Sequence, residues 1–414
     1  MTENKKNVFL FPFVLVTCLF FLWGFVHNLD PILIPHLKRS FTLTTSQSTL
    51  IDSAVFIAYF LMAMPAGFIM KRYGYKAGII MGLILFAAGS FMFLPAADYQ
   101  SYNYFLIALF IIACGLTMLE TAANPYAAAL GDPSSSTLRL NFAQSFNGLA
   151  AALAPVIGAR IILTKGHSEQ ELNVMSDAAR KMALAAEAAS VKMPYLILGI
   201  VLLLVAFLFL ITHLPKLNTD PAHTPGKNIF HAFKHKHLTW AVIAQFFYVG
   251  AQVSVFSLFI LYAEESAALN QVAAADYLGA CGIAFLIGRF LGTFLMRYIA
   301  PEKLLALYAV ANMALSAVAI LASGMITVYA VIGICFFMSI MFPTIFSLGI
   351  RNLKADTEYG SSLIIMSIVG GAIMPRLFGE ISDATHNIQM GYIIPLICFV
   401  FVFYFGWKGH RVSG

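Results

Sequence analysis

Twelve apolar runs follow one another along the chain, at roughly 8–37, 46–70, 76–97, 103–131, 137–163, 191–212, 238–263, 271–298, 304–322, 326–350, 359–382 and 389–408. A helix needs roughly 20 apolar residues to cross a hydrocarbon core, and each run meets that length. No water reaches the core to satisfy backbone polar groups, so only helices and closed barrels can span it. The runs are too long for barrel strands and lack their period-two alternation. The sequence therefore predicts an all-α membrane protein with twelve transmembrane helices. Composition closes the soluble alternative, since 60% of the residues are hydrophobic and only 11% charged. Soluble domains sit near 45–50% and about 25%. A water-soluble enzyme, nucleic-acid binder or secreted scaffold would lack the polar surface it needs. The expected surroundings are a lipid bilayer.

Lysine and arginine in the loops orient such a bundle. With the N-terminus inside, the loops and ends on that side hold 16 of the 25 basic residues and the opposite side holds 6. Both termini are thus expected in the cytoplasm. The net charge of +6 is read as this topology signal, and no nucleic-acid partner is expected. The first run has no small-residue cleavage pattern and reads as a retained helix. Cys18, Cys114, Cys281, Cys335 and Cys398 all fall inside apolar runs without CxxC spacing. Neither a disulfide framework, a metal site nor a cofactor is expected from them. Two connections are long. Residues 165–192 read as an amphipathic external hairpin, and residues 213–237, rich in Pro, His and Lys, as a cytoplasmic linker. The histidines at 231, 235 and 237 within that linker are expected on a solvated basic loop.

The linker separates residues 1–212 from 238–414, six runs on each side, and a faint internal repeat relates them. Gly67, Arg72 and Tyr73 recur as Gly292, Arg297 and Tyr298 at an offset of 225. Pro125 with Leu130-Gly131 recurs as Pro343 with Leu348-Gly349, and Phe21-x-x-Gly24 as Phe247-x-x-Gly250. Ordered matches at nearly one offset imply two pseudo-symmetric six-helix halves. Halves that rock about a midplane site suit alternating access. Gly148, Gly288, Gly292, Gly370 and Gly371 are read as sites of close helix approach.

Polar groups inside the runs need a reason, because a charge at mid-membrane costs about 2.5–3.5 kcal/mol even on the lenient insertion scale. Glu120 lies far from either end of the fourth run, with Asn124 one turn further on the same face. It is the expected proton-coupling residue, loading and releasing a proton as a cleft changes sides. Asp30 precedes Pro31, and proline disfavours helix in the residue before it. The first run is thus expected to break there, with Asp30 as a second proton or gate group. Arg289 and Arg376, the other intramembrane charges, are read as salt-bridge or gating residues. Uncharged amides suit a polyol, because each offers both donors and acceptors. Asn28, Asn124, Gln144, Asn147, Gln245 and Gln252 are the expected substrate-binding set, and Phe342 offers an aromatic plane.

These residues resemble a known family. Gly67-x-x-x-Lys71-Arg72-x-Gly74-x-Lys76 is similar to the loop signature of the major facilitator superfamily, with Lys71 where that signature has an acid. The run Leu119-Glu120-Thr121-Ala122-Ala123-Asn124-Pro125 is more specific. With it come the segments holding Arg139, Asn141, Gln144 and Asn147, those holding Gln245, Tyr248 and Gln252, and that from Pro343 to Gly349. Together they resemble the fucose–galactose–glucose:proton symporter family, in its L-fucose permease branch, over nearly the whole chain. The resemblance implies the major facilitator fold and a monomeric proton-coupled sugar importer of the bacterial inner membrane. It implies a hexose or deoxyhexose as substrate, L-fucose first; relatives carry glucose, galactose, mannose, fructose or N-acetylglucosamine. It gives Glu120 the proton role and sets Gln144 and Asn28 in the sugar cleft. One departure lies in the first run. Pro31 occupies the place of the family's acid and Asp30 falls one residue earlier, about 100° around a helix. Two other classes are weighed. A sugar receptor would carry a signalling extension, and a membrane enzyme would carry a nucleophile–base pair or clustered ligands; neither pattern is present. Composition does not separate proton from sodium coupling.

Overall fold

The computed structural model describes residues 3–28, 37, 40–41, 50–162, 174–215 and 229–412. Among these residues every regular element is helical. In chain order they are α1 (Glu3–His27), α2 (Leu50–Tyr73), α3 (Tyr75–Asp98), α4 (Tyr102–Ala129), α5 (Ser136–Ile162), α6 (Asp177–Ala189), α7 (Lys192–Ile211), α8 (Lys236–Ser257), α9 (Phe259–Ala267), α10 (Gln271–Leu295), α11 (Pro301–Leu321), α12 (Met325–Met338), α13 (Met341–Gly349), α14 (Thr357–Met366), α15 (Gly370–Thr385) and α16 (Ile393–Tyr404). Short 3-10 turns and a closing π turn join or extend them. The twelve apolar runs are thus helical where described. Three are interrupted, the seventh at Leu258, the tenth at Ser339–Ile340 and the eleventh at its 3-10 turn Ser367–Val369, and the twelfth opens on the 3-10 turn Ile388–Tyr392.

Among the described residues, eleven helical segments are long and apolar enough to cross a membrane. α5 carries Arg139, Asn141, Gln144, Ser145 and Asn147 in its first half. A helix with that many polar groups in a bilayer must turn them towards protein. Asn141, Gln144 and Ser145 are indeed buried.

Two compact units account for the packing. One holds Phe21–Ala122 and Ala150–Leu214. Its core is aromatic: Phe86, Phe93, Phe105 and Tyr195 are all buried, and the Phe93 and Tyr195 rings stack with centroids 3.7 Å apart. The other holds Met1–Phe20, Ala123–Leu149 and Pro215–Gly414. It is centred on buried Tyr248, Tyr262, Tyr392 and Phe399. Helix–helix approach in it is set by small residues, as expected where lipid gives no hydrophobic drive. A Cβ on Gly288 of α10 would lie 2.3 Å from the Phe336 carbonyl oxygen of α12. Backbone cannot yield as a side-chain tip can. Gly288→Ala should therefore cost roughly 1–3 kcal/mol of overpacking. The check is a thermal melt in detergent; an unchanged melting temperature would refute this account of the contact.

Connections between the runs are tied at their ends. Between α4 and α5, the Asp132 carboxylate accepts from the Ser134 backbone N–H at 2.8 Å. That bond, with one from the Ser134 hydroxyl, holds its carboxyl below the usual range. Arg139 reaches back to the carbonyls of Asp132 (2.6 Å) and Ala128 (2.5 Å). The connection between the fifth and sixth runs contains an amphipathic helix, α6, and Lys192 after it pairs with Asp98 at the end of α3.

The histidine-bearing end of the linker departs from the solvated loop expected of it. From Ile229 it winds into a 3-10 turn. Lys234 and His235 then approach the buried Asp356 carboxylate at 3.2 and 3.3 Å. His237 is buried with Nε2 at 2.8 Å from the Arg351 carbonyl. A buried carboxylate demands charge or donors, and the basic segment supplies them.

Candidate functional site

The site is built around the interruption in the tenth run. Proline has no backbone N–H, so the carbonyl four residues before it loses its helical donor. Pro343 stands in the first turn of α13, and the carbonyl it leaves is that of Ser339. Arg289 of α10 fills the vacancy: its Nε donates to the Ser339 oxygen at 2.8 Å. Its Nη1 donates to the Gln144 carbonyl of α5, also at 2.8 Å. The guanidinium is 4% exposed and lies over the Phe285 ring, 4.6 Å from its centroid. Tyr248 of α8 donates its hydroxyl to the adjacent Met338 carbonyl at 3.1 Å. A Cβ on Gly148 would meet the Arg289 side chain at 3.7 Å, an ordinary packing distance.

The polar line continues through side chains. Gln144 Nε2 donates to Asn124 Oδ1 at 2.9 Å, with both residues buried. Asn124 lies one turn beyond Glu120 on α4. Glu120 Oε1 accepts from the Tyr59 hydroxyl of α2 at 3.0 Å. Asn124, Gln144 and Arg289 thus follow one another, and Glu120 stands one turn before Asn124 on α4. Amides fixed in this way present oriented donors and acceptors, which a ligand with vicinal hydroxyls can match in pairs.

The other expected site residues have varied placements. Asn147 reaches the Phe20 carbonyl at 3.4 Å. Asn28 turns back on its own helix, donating to Gly24 at 2.7 Å. Gln245 is fully buried, with neither side-chain polar atom hydrogen-bonded among the described residues. Gln252 and Phe342 are half-buried, and Phe342 directly precedes Pro343. Asp30 lies outside the described residues. Arg376 is exposed and paired with Glu380 one turn on, at 3.1 Å. Sequence reasoning misses three contributors: Tyr59, and the hydroxyl residues Thr344 and Ser347 of α13. Thr344 and Ser347 carry a signal, since they sit on a short helix opened by Pro343. Tyr59 carries none, because a tyrosine in an apolar helix has no local mark of its partner.

Polar groups turned inward and joined across interrupted apolar helices are the architecture of a carrier protein. The chain belongs to the Major Facilitator Superfamily, whose family model matches residues 13–375. It is 44% identical to the L-fucose-proton symporter of Escherichia coli, over 97% of this chain and 94% of that one. It is 39% identical to a glucose/galactose transporter of Brucella abortus, over 99% and 96% of the two chains. A crystal structure of FucP, a Major Facilitator Superfamily transporter, in the outward conformation superposes with a TM-score of 0.92. Identity there is 43%, covering 98% of this chain and all of the other.

Proposed function

We propose that this protein is a proton-coupled sugar symporter and not an enzyme. It imports a hexose or deoxyhexose across a bacterial inner membrane by alternating access between its two six-helix halves, residues 1–212 and 238–414. The observation that carries this reading is Glu120, one helical turn from the hydrogen-bonded pair Asn124–Gln144. An acid within reach of a sugar-binding amide pair lets one movement serve both ligands. The carrier loads a proton on Glu120 and sugar on the amides from outside, rocks inward, and releases both. Asp30 serves as a second acid near the outer end of the first run, and Gln245, Gln252, Asn28, Asn147 and Phe342 complete the sugar contacts. The protein works as a monomer with both termini in the cytoplasm.

L-fucose is the first candidate substrate, because a relative called an L-fucose-proton symporter is 44% identical over nearly the whole chain. Glucose or galactose is the second reading, favoured by relatives called glucose/galactose transporters at 39% identity. Lightly buffered, de-energised cells expressing the protein test both. L-fucose, D-glucose and D-galactose are added in turn while external pH is recorded beside uptake of each labelled sugar. A pH rise with L-fucose is expected. A rise with glucose or galactose alone selects the second reading. Uptake that follows sodium and leaves pH unchanged defeats proton coupling.

A further inference from the structure

Tyr59 is out of place on α2. Between Ser53 and Lys71 that helix has no other hydroxyl, amide or charged side chain. Ala58 and Ala63 beside it are buried, and Ile57, Phe60 and Leu61 are exposed apolar residues. A phenylalanine would fill the same volume without a polar tip to satisfy. The Tyr59 side chain belongs to a residue only 3% exposed, and a buried phenol seeks a hydrogen-bond partner. It donates to Glu120 Oε1 of α4 at 3.0 Å. Both residues belong to one compact unit, so the pair is internal to it.

The hydroxyls nearest Glu120 on its own helix are committed elsewhere. Each has one hydrogen to donate. Thr117 gives its hydrogen to the Ala113 carbonyl at 2.7 Å, and Thr121 gives its own to the Thr117 carbonyl at 2.6 Å. A donor for the carboxyl is therefore brought by the facing helix. The surroundings are apolar. Met118, Leu119 and Ala122 are fully buried. Val55 and Leu116, one turn before Tyr59 and Glu120 in their helices, line a small void with His27. The charged and titratable groups of the neighbouring helices stand at helix ends: His27 ends α1, Lys71 and Arg72 end α2, Lys76 and Asp98 bound α3, and Lys192 opens α7. Cys114, six residues before Glu120, lies about 120° round α4 from it.

A carboxyl that loads a proton on one side and releases it on the other spends part of each cycle charged. A charge among helices this apolar is costly. A donor bonded to a carboxylate favours its charged form, and such charge-assisted bonds are stronger than neutral ones. A phenol gives up its proton far less readily than a carboxyl does. Glu120 therefore gives its proton to water, while Tyr59 keeps its own hydrogen and its bond to Oε1.

We propose that Tyr59 is a positioning residue of the coupling step, acting through Glu120: its hydroxyl holds the deprotonated carboxyl in place, so that the proton can leave and the empty carrier can return. The proposal rests on the symport reading above. The role of Tyr59 shows in the steps where Glu120 is charged.

Tyr59→Phe keeps the ring and removes the donor. Variant and wild type are compared in proteoliposomes, using whichever of L-fucose, D-glucose and D-galactose the wild type takes up. Net uptake requires proton release and an empty return, and counterflow requires neither. Uptake driven by a proton gradient should fall about 10-fold, as expected for loss of one bond to a charged group. Counterflow should fall no more than threefold. The external pH at which uptake is half-maximal should rise by about one unit, because the outward site then keeps its proton in more alkaline medium. In the double variant with Glu120→Gln there is no charge left to stabilise, so counterflow should stay within twofold of Glu120→Gln alone. That double variant carries the test if the single one folds poorly. Three results overturn the proposal: Tyr59→Phe accumulates sugar with the wild-type pH profile, its counterflow is lost along with uptake, or the double variant loses counterflow that Glu120→Gln keeps. The symport reading fails separately, on the wild type alone, if its sugar uptake does not respond to pH.

Discussion

Glu120→Gln is expected to abolish uphill sugar accumulation while leaving sugar exchange down its gradient. The amide has the size of the carboxyl and can still accept from the Tyr59 hydroxyl, which lies 3.0 Å from Glu120 Oε1. What it lacks is the ability to gain and lose a charge. One proton moved with the field is worth about 2.3 kcal/mol per 100 mV, and 1.36 kcal/mol is tenfold in a ratio. A singly coupled carrier at 100 mV can thus hold sugar about 50-fold concentrated, and the variant should hold it near unity. Wild-type uptake should weaken as external pH rises, since fewer protons are offered to the outward site, whereas exchange by the variant should be flat with pH. The measurements are steady-state accumulation in energised vesicles and counterflow in de-energised ones. Normal accumulation by the variant would remove Glu120 from the coupling step. Loss of counterflow together with accumulation would instead make Glu120 a sugar or folding residue.

What is legible in the sequence and what is hidden divide along a physical line. Length and apolarity are local properties, so the twelve runs can be counted from the order of residues alone. The same count includes α5, despite the polar residues in its first half. Glu120, Asn124 and Gln144 are legible because a charge or amide in hydrocarbon is costly and must face inward. Pairings are not legible. Asn141 meets Thr344 across 203 residues and Thr137 meets Ser347 across 210, and no periodicity within either helix encodes the match. The histidines near the linker's end mislead for a related reason. Their sequence is basic and polar, which suits solvent, but the buried carboxylate of Asp356 recruits Lys234 and His235 from more than a hundred residues away. Arg289 reads from its sequence position as a salt-bridge or gating residue. Its Nε and Nη1 go instead to main-chain carbonyls, and one of those carbonyls needs a donor only because Pro343 stands four residues later.

That last dependence makes the sharpest stability prediction. Arg289→Met keeps much of the side-chain bulk and removes the donors. The Ser339 carbonyl then has neither Arg289 nor a residue-343 N–H to pair with, and an orphaned buried acceptor costs about 1–3 kcal/mol. The variant should melt lower, and its uptake should fall by about 10- to 100-fold, because Gln144 and the tenth-run break are no longer tied together. Arg289→Lys should recover part of the stability and little of the uptake, since an ammonium cannot reproduce the forked geometry that spans two carbonyls. The discriminating measurement is a double-mutant cycle with Pro343→Ala. Alanine restores a backbone N–H at 343 that can bond the Ser339 carbonyl within the helix, so Arg289→Met should be less damaging in that background. A coupling of about 1 kcal/mol or more is expected from groups sharing one acceptor. Uptake should stay low in the double variant, because the tenth run becomes continuous and loses its break. Purely additive losses in stability would show that Arg289 does not stand in for the hydrogen bond the proline removes, and rescue of uptake alongside stability would show that transport does not use the break.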